Sequence, residues 1–298
     1  MICCIDGSNL FFIAWAIFCK ETLAKNGEDY VIKEEDLGLF YHMIFKKFME
    51  YFTTYSDIVL CFEGEHSSAW RKEQFPVYKE NRKKDSPNYK WVGPLIENTI
   101  KFLSNFHCKI LKVPYCEGDD CIYQTCKYYS EKGEQVLIIS SDKDLSQMMN
   151  YWDTVSQYNP IKKDYIKKNP NILLEKALIG DPSDNIKVFR GLGPKTFEKM
   201  MADKEFYNKK MPPENLILLD KVMQIIDLRK YPEKYQNAIK EELDKPWNEF
   251  KIVDIEKFLL DNGLKSCYND WTSNWCSEIQ SLSFEQPDAF DEIMDLIK

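Results

Sequence analysis

Residues 2–10 read ICCIDGSNL: four apolar residues closed by Asp6, then glycine, serine and asparagine ahead of a long apolar stretch. A short apolar run bounded in this way predicts a buried strand, and the apolar spacing that follows predicts a helix over 9–24. The pattern recurs. DIVLCF (57–62) ends at Glu63, CKILKVPY (108–115) ends before Glu117, and QVLIIS (135–140) ends before Asp142. Helical spacing lies between and after these runs, at 34–53, 93–106, 119–131 and 143–150. Strands alternating with helices predict a mostly parallel α/β sheet covered on both faces.

In an open sheet of this kind the functional crevice lies beyond the carboxyl ends of the strands. Acidic residues stand at all four predicted ends: Asp6; Glu63; Glu117, Asp119 and Asp120; Asp142 and Asp144. Any one of them reads equally well as a turn or helix cap. Two carboxylates about 4 Å apart repel by roughly 4 kcal/mol at an effective dielectric of 20, so four strands delivering acids to one edge calls for a cation. Hard oxygen donors favour Mg²⁺, with Mn²⁺ able to substitute. ALIGDPSDNI (177–186) adds Asp181 and Asp184, which alone read as an Asx turn at Pro182. Nine carboxylates are too many for one ion, and two or more ions are expected, as in enzymes that clamp both oxygens of a phosphoryl displacement.

Charge and cysteine content narrow the classes further. The chain has 298 residues, 44% hydrophobic, with a formal net charge of −8. Residues 201–298 hold 20 acidic and 13 basic residues, so the first 200 are nearly neutral and become net basic once the nine candidate ligands are set aside. A basic shell around an acidic centre suits a polyanionic substrate. Ten cysteines without a CxxC pair, and only three histidines, argue against zinc and for reduced thiols in a cytoplasmic setting. The apolar stretch LFFIAWAIFC (10–19) has no basic residues before it, and neither a secretion signal nor a membrane span is expected.

Two further segments point to nucleic acid. Residues 70–91 carry seven basic residues against three acidic, interleaved with Trp70, Phe75, Tyr78, Tyr89 and Trp91, which suits phosphates and unstacked bases. Lys79 and Arg82 are three apart, so a helix here would show both to one phosphate path. In IKVFRGLGPKTFEKMM (186–201), apolar positions around Gly191 and Gly193, with Pro194 suited to a first helical turn, predict helix, hairpin and helix. Backbone amides at such a helix start can take a DNA phosphate without reading sequence.

Taken in order, IDGSNL (5–10), CFEG (61–64), WRKEQFPVYKENR (70–82), EGDD (117–120), SSDKDL (140–145), GDPSDNI (180–186) and RGLGPKT (190–196) resemble the flap endonuclease and 5′ to 3′ exonuclease family, most closely its phage-encoded members, which includes the 5′ nuclease domain of bacterial DNA polymerase I. The resemblance implies a PIN-like nuclease domain over 1–180 with a helical arch at about 64–92. A helical DNA-binding domain would follow over 181–298, with the helix-hairpin-helix at 186–201. It implies that Asp6, Glu63, Glu117, Asp119 and Asp120 hold a first metal, and that Asp142, Asp144, Asp181 and Asp184 complete it and form the second. Lys79, Arg82 and Asp120 fall on catalytic positions. Arg71, Lys72, Tyr78, Lys79, Arg82, Lys83, Gly191, Gly193 and Lys195 fall on DNA contacts, and the hairpin is where related proteins bind K⁺. Glu63 departs from the usual Asp, Lys187 and Val188 from Pro-Gly, and Phe197 from Ala.

The implied substrates are DNA with 5′ flaps, nicks or free 5′ ends, and RNA/DNA primers, cut in phage DNA replication by a monomer with no membrane association. SFEQPDAFDEIMDLIK (283–298) is a candidate docking segment for a single-strand binding protein or clamp, although a closing helix is the simpler reading. Two rivals remain: a PIN-type ribonuclease, and a non-catalytic DNA-junction binder.

Overall fold

The computed structural model describes residues 1–82 and 86–281; Lys83 and the 283–298 segment lie outside the described residues. Six strands form one sheet: β1 (Ile2–Asp6), β2 (Asp57–Cys61), β3 (Lys109–Leu111), β4 (Val136–Ile139), β5 (Val155–Asn159) and β6 (Asp164–Tyr165). Their order is β3-β2-β1-β4-β5-β6, parallel except for the β5–β6 pair. The four strands read from the sequence are present. β5 escapes that reading because VSQYN alternates apolar with polar residues and is buried only at every second position.

From β1 the chain builds outward through β2 to β3, then crosses back to β4 and continues to β5. The direction reverses between β1 and β4, which opens the crevice of such sheets at the carboxyl ends of those two strands. Ile5 pairs with Leu60 on one side and Ile139 on the other, so Asp6 and the residues after Ile139 leave the sheet side by side.

The helices are α1 (Gly7–Asn26), α2 (Leu37–Phe52), α3 (Ala69–Gln74), α4 (Val92–Leu103) and α5 (Gly118–Ser130). After the sheet come α6 (Ile172–Ile179), α7 (Pro194–Ala202), α8 (Lys204–Lys210), α9 (Pro213–Ile226), α10 (Glu233–Asp244), α11 (Ile252–Asp261), α12 (Lys265–Asp270) and α13 (Cys276–Ser281). Residues 143–150 form a 3₁₀ helix. One sheet face is covered by an aromatic core of Phe11, Phe18, Phe40, Phe45, Phe48, Phe102 and Trp271, with Phe45 stacked on Phe102 at 3.9 Å. Each such ring contributes about 1.5–3 kcal/mol by leaving water. The other face packs Cys4, Cys61, Cys121, Ile122 and Cys126 against Tyr231, Ile239 and Leu243. All ten cysteines are free, and eight are buried, as small apolar side chains. Among the described residues no helix is long and apolar enough to cross a membrane.

Two expected boundaries need correction. Residues 186–190 are not helical. The helix before the GLG turn is α6, and it stops at Gly180, whose φ of +94° and close approach to the Ile186 carbonyl suit glycine alone. Asp181 and Ile186 then exchange backbone hydrogen bonds, which removes the Ile186 amide from any helix. Ile186, Phe189 and Leu192 are buried from a non-helical segment with a bend and turn at 189–191, so their three-residue spacing misleads. Second, the chain after α9 does not extend the hairpin unit: α10 lies against α5, and Ile255, Phe258 and Trp271 join the aromatic core of the sheet.

Candidate metal centre

The sheet places Asp6 at the end of β1, where its Oδ1 caps α1 by accepting the Asn9 amide at 2.8 Å and its Oδ2 accepts the Ser140 hydroxyl at 2.8 Å. Burial pushes the Asp6 carboxyl up to about 7 despite those two bonds, with the charges of Asp142 and Glu63 adding to the rise. Asp142 follows β4, and its Oδ1 accepts the Asp144 amide. Asp119, in the first turn of α5, accepts no hydrogen bond and makes no ion pair among the described residues. Burial, then Asp142 and Asp6, drive its carboxyl well above the usual carboxylate range. Glu63 behaves likewise: burial raises it and Lys79 only partly offsets that. Gly64 makes its placement possible, because a Cβ there would lie 1.8 Å from the Val113 carbonyl oxygen, and the close approach brings the end of β2 beside the end of β3.

The neighbouring carboxylates are neutralised by the protein itself. Arg71, 2% exposed, grips Asp120 through its two terminal guanidinium nitrogens at 2.9 and 2.5 Å, and Nη1 lies 3.3 Å from Glu117. Its Nε donates to the Ile225 carbonyl at the end of α9. Lys79 Nζ sits 2.8 Å from Glu117 Oε1, and the Tyr78 hydroxyl donates to Glu117 Oε2 at 3.0 Å. Burial alone would raise Glu117, but Arg71 and Lys79 outweigh it and hold the carboxyl down at about 2.

A third group closes around Lys176, on the last turn of α6. Ligand oxygens of Asp144, Asp181 and Asp184 all lie within 4.8 Å of one another, the one such group of three among the described residues. Lys176 Nζ pairs with Asp144, with Asp181 at 2.8 Å and with Asp184 at 3.2 Å, and is 11% exposed. Burial raises the Asp144 carboxyl to about 6, against the pull of Lys176. At the less buried Asp181 the lysine wins and the carboxyl drops to about 2. A cavity of about 420 Å³, lined by Asp142, Asp144, Lys176, Asp181 and Ser183 among others, opens beside this group.

All nine expected carboxylates therefore reach one rim, but three expectations about their surroundings change. Arg71 is not a surface DNA contact: it is buried under the site, and removing it from water is repaid chiefly by its two carboxylates, with the Ile225 carbonyl accepting from its Nε. Asp120, expected as ligand and catalytic group, is fully buried with both oxygens on Arg71, and its Oδ2 also caps the Glu117 amide. The segment around Lys79 and Arg82 is not a helical arch. α3 ends at Gln74, residues 76–81 form turns, and Lys79 has φ +56°. Its hydrogen bonds run to the Asp181–Asn185 loop instead: the Lys79 amide donates to the Asp184 carbonyl, Asn81 to Pro182, and Asn185 to Val77. Bonds made across to another segment are unavailable for a helix. Arg82 lies on Asp184 at 3.0 Å, and Tyr78 is buried against Glu117. Lys72 and Lys195 are exposed, and Gly191 turns with φ +72° ahead of α7.

Lys176, Ser140 and Asn9 were not among the residues singled out from the sequence. The one available signal was a lysine inside the apolar run ILLEKALI (172–179), four residues before the helix-ending glycine. As a donor set the rim is all carboxylate oxygen, with an unpaired Asp119 at its centre, and this fits a hard divalent ion such as Mg²⁺ or Mn²⁺.

Residues 1–177 match the family described as 5′-3′ exonuclease, N-terminal resolvase-like domain. Ribonuclease H of Enterobacteria phage T4 is 32% identical over 142 residues, covering 44% of this chain and 46% of that protein. The 5′-3′ exonuclease of Buchnera aphidicola subsp. Schizaphis graminum is 31% identical over 211 residues, covering 64% and 70% respectively. The chain thus aligns with under half of the first relative and about two thirds of the second. Among solved structures, the T5 D15 protein co-crystallised with metal ions superposes with a TM-score of 0.55 at 17% identity, covering 82% of this chain and 98% of that one. The bacteriophage T5 D15 flap endonuclease, in a complex with DNA and metal ions, gives the same score and coverage at 16% identity. At these identities the likeness concerns the fold, which is PIN-like.

Proposed function

The chain belongs to the 5′-3′ exonuclease family, and on that premise we propose that it is a structure-specific 5′ nuclease hydrolysing phosphodiesters at 5′ flaps, nicks and free 5′ ends with divalent metal ions. The observation that carries the reading is the convergence of nine carboxylates from five separate segments on the carboxyl edge of the sheet, with Asp119 unpaired among them. The phage T4 relative is named a ribonuclease H, which supports RNA/DNA primers as substrates and a role in phage replication. The T5 neighbour is described with DNA and metal ions, which supports metal use; Mg²⁺ as cofactor, with two or more ions and Mn²⁺ as a substitute, is the reading that the all-carboxylate donor set favours.

Bound ions of this kind supply Lewis acidity and lower the pKa of the attacking water. The protein's own groups do the rest. Asp6 and Asp142 are held rigidly by backbone amides and Ser140, so the rim is preorganised and costs little to orient. Lys79 and Arg82 rest on Glu117 and Asp184, and an incoming phosphate competes for them as a second anion. Arg71 and Lys79 keep Glu117 ionised, and Asp120 fixes the Arg71 guanidinium from below. Gly191, Gly193 and Lys195 hold duplex DNA through backbone amides at the start of α7 and one exposed ammonium. K⁺ at that turn is part of the proposal.

The test is a labelled 5′-flap duplex incubated with Mg²⁺ and then with EDTA. Cutting near the junction that stops in EDTA is expected, and cutting that persists in EDTA overturns the metal-dependent reading.

A further inference from the structure

The nine carboxylates are not equally provided for. Glu117 and Asp120 have Arg71 and Lys79, Glu63 draws on Lys79 in part, and Asp144, Asp181 and Asp184 surround Lys176, whereas Asp6 and Asp142 have only neutral donors and Asp119 accepts no hydrogen bond among the described residues. The Asp144–Asp181–Asp184 group is also the most compact, and it is compact around an ammonium.

We propose that Lys176 is a built-in competitor for the second metal ion: its ammonium occupies the Asp144–Asp181–Asp184 cage, and a divalent ion enters only as the lysine swings out. The inference rests on the proposed function for the existence of a metal in this cage. Three features of this chain support it. The Lys176 nitrogen contacts all three carboxylates at ion-pair distance, so it meets the same charge that an ion would. Ammonium–oxygen distances of 2.8 and 3.2 Å exceed the roughly 2.1 Å that Mg²⁺ requires, so both cannot share the cage and the oxygens must draw in when the ion replaces the amine. The cavity beside the cage has Lys176 in its wall and is open enough to receive the displaced side chain.

Such a lysine has two consequences. It keeps three like charges assembled before any ion arrives, which stabilises the metal-free fold. It also weakens the second ion by the fraction of time that it occupies the cage, a tenfold penalty if the cage is open about a tenth of the time. Lys176 is thus a positioning residue, and its effect is read in metal binding.

The experiment is calorimetric titration of Mn²⁺ into the full chain without DNA, comparing wild type with Lys176→Met and Lys176→Arg. The neutral variant is expected to tighten the weaker of two binding events about tenfold or more and leave the stronger unchanged, while the arginine variant stays near wild type. In EDTA, Lys176→Met is expected to melt below wild type and to regain more on adding Mn²⁺. A weaker event of unchanged or poorer affinity in Lys176→Met overturns the proposal. Should that variant fail to fold, amine-labelling footprinting of wild type decides: labelling of Lys176 by an acetylating reagent rises with Mn²⁺ if the amine is expelled, and flat or falling labelling overturns the inference. If Mn²⁺ binds neither wild type nor variant, the proposed metal-dependent function falls as well. Two ions that bind with Lys176 unmoved overturn this inference alone.

Discussion

The two halves of the acidic rim solve one electrostatic problem in opposite ways. Around Glu117, Asp120, Asp144, Asp181 and Asp184 the protein brings its own cations, and there the carboxylates are close-packed and Glu117 and Asp181 are held ionised down to about pH 2. Around Asp6, Asp119 and Asp142 no cation comes within ion-pair distance among the described residues, and Lys79 offsets the Asp119 charge only in part. Those groups do not close to the spacing of the other cage, and burial with mutual repulsion raises Asp6 to about 7. The difference teaches which half needs something from outside. Buried carboxylates without a partner destabilise the fold unless protonated or bound to a cation, so they mark where an external ion gains most.

The largest effect that can break this comparison is at Asp119. Asp119→Asn is expected to lower flap cleavage by a factor of about 10³ or more, since a charge aimed at the reacting centre is removed. The same variant should melt at or above wild type in EDTA, because it loses an uncompensated charge. A drop in metal-free stability would show that Asp119 has a partner after all. Next comes the compensated half. Arg71→Met leaves Asp120 and Glu117 buried without their guanidinium and is expected to cost about 3–5 kcal/mol in urea unfolding, with or without metal. A loss below about 1 kcal/mol would mean that water or another cation reaches these carboxylates.

The pH dependence sharpens the contrast. Asp6 binds its proton more tightly in the folded protein than unfolded, so between about pH 4 and 7 the native state holds more protons and metal-free stability falls as pH rises. Glu117 and Asp181 work with the opposite sign: their contribution is present above pH 4 and is lost as pH falls toward 2. Unfolding midpoints in EDTA across pH 3–8 should therefore pass through a maximum, and saturating Mn²⁺ should flatten the decline on the neutral side. A decline unchanged by Mn²⁺ would place its source outside the rim. The smallest expected effect is Tyr78→Phe, which removes one hydroxyl from Glu117 and should cost about 1 kcal/mol of stability.

Much of this was legible in the chain. The runs ICCID, DIVLC, KIL and VLII announce strands because they are buried and apolar, and an acid after each marks the working edge of a parallel sheet. What escaped was set by tertiary context. β5 pairs at the polar margin and so lacks an apolar run. Residues 186–192 keep helical spacing without forming a helix, because the Gly180 turn and the Asp181–Ile186 bridge take the Ile186 backbone and a bend and turn at 189–191 follow. Residues 76–82 carry the cations expected on an arch, but the Lys79 amide, the Asn81 side chain and the Val77 carbonyl are stitched to the Asp181–Asn185 loop. Arg71 reads in the sequence as one of several surface cations, and Lys176 shows only as a lysine inside an apolar run. Only the fold shows that one lies beneath Asp120 and the other inside a cage of aspartates.

The central claim is that the unpartnered half of the rim takes the first ion. Crystals grown without metal and soaked in low Mn²⁺, with anomalous scattering collected at the manganese edge, test it directly. A single peak bounded by Asp6, Asp119 and Asp142, with Lys176 still seated among Asp144, Asp181 and Asp184, is the expected result. A first peak in the Asp144–Asp181–Asp184 cage, with Asp119 left bare, would contradict it.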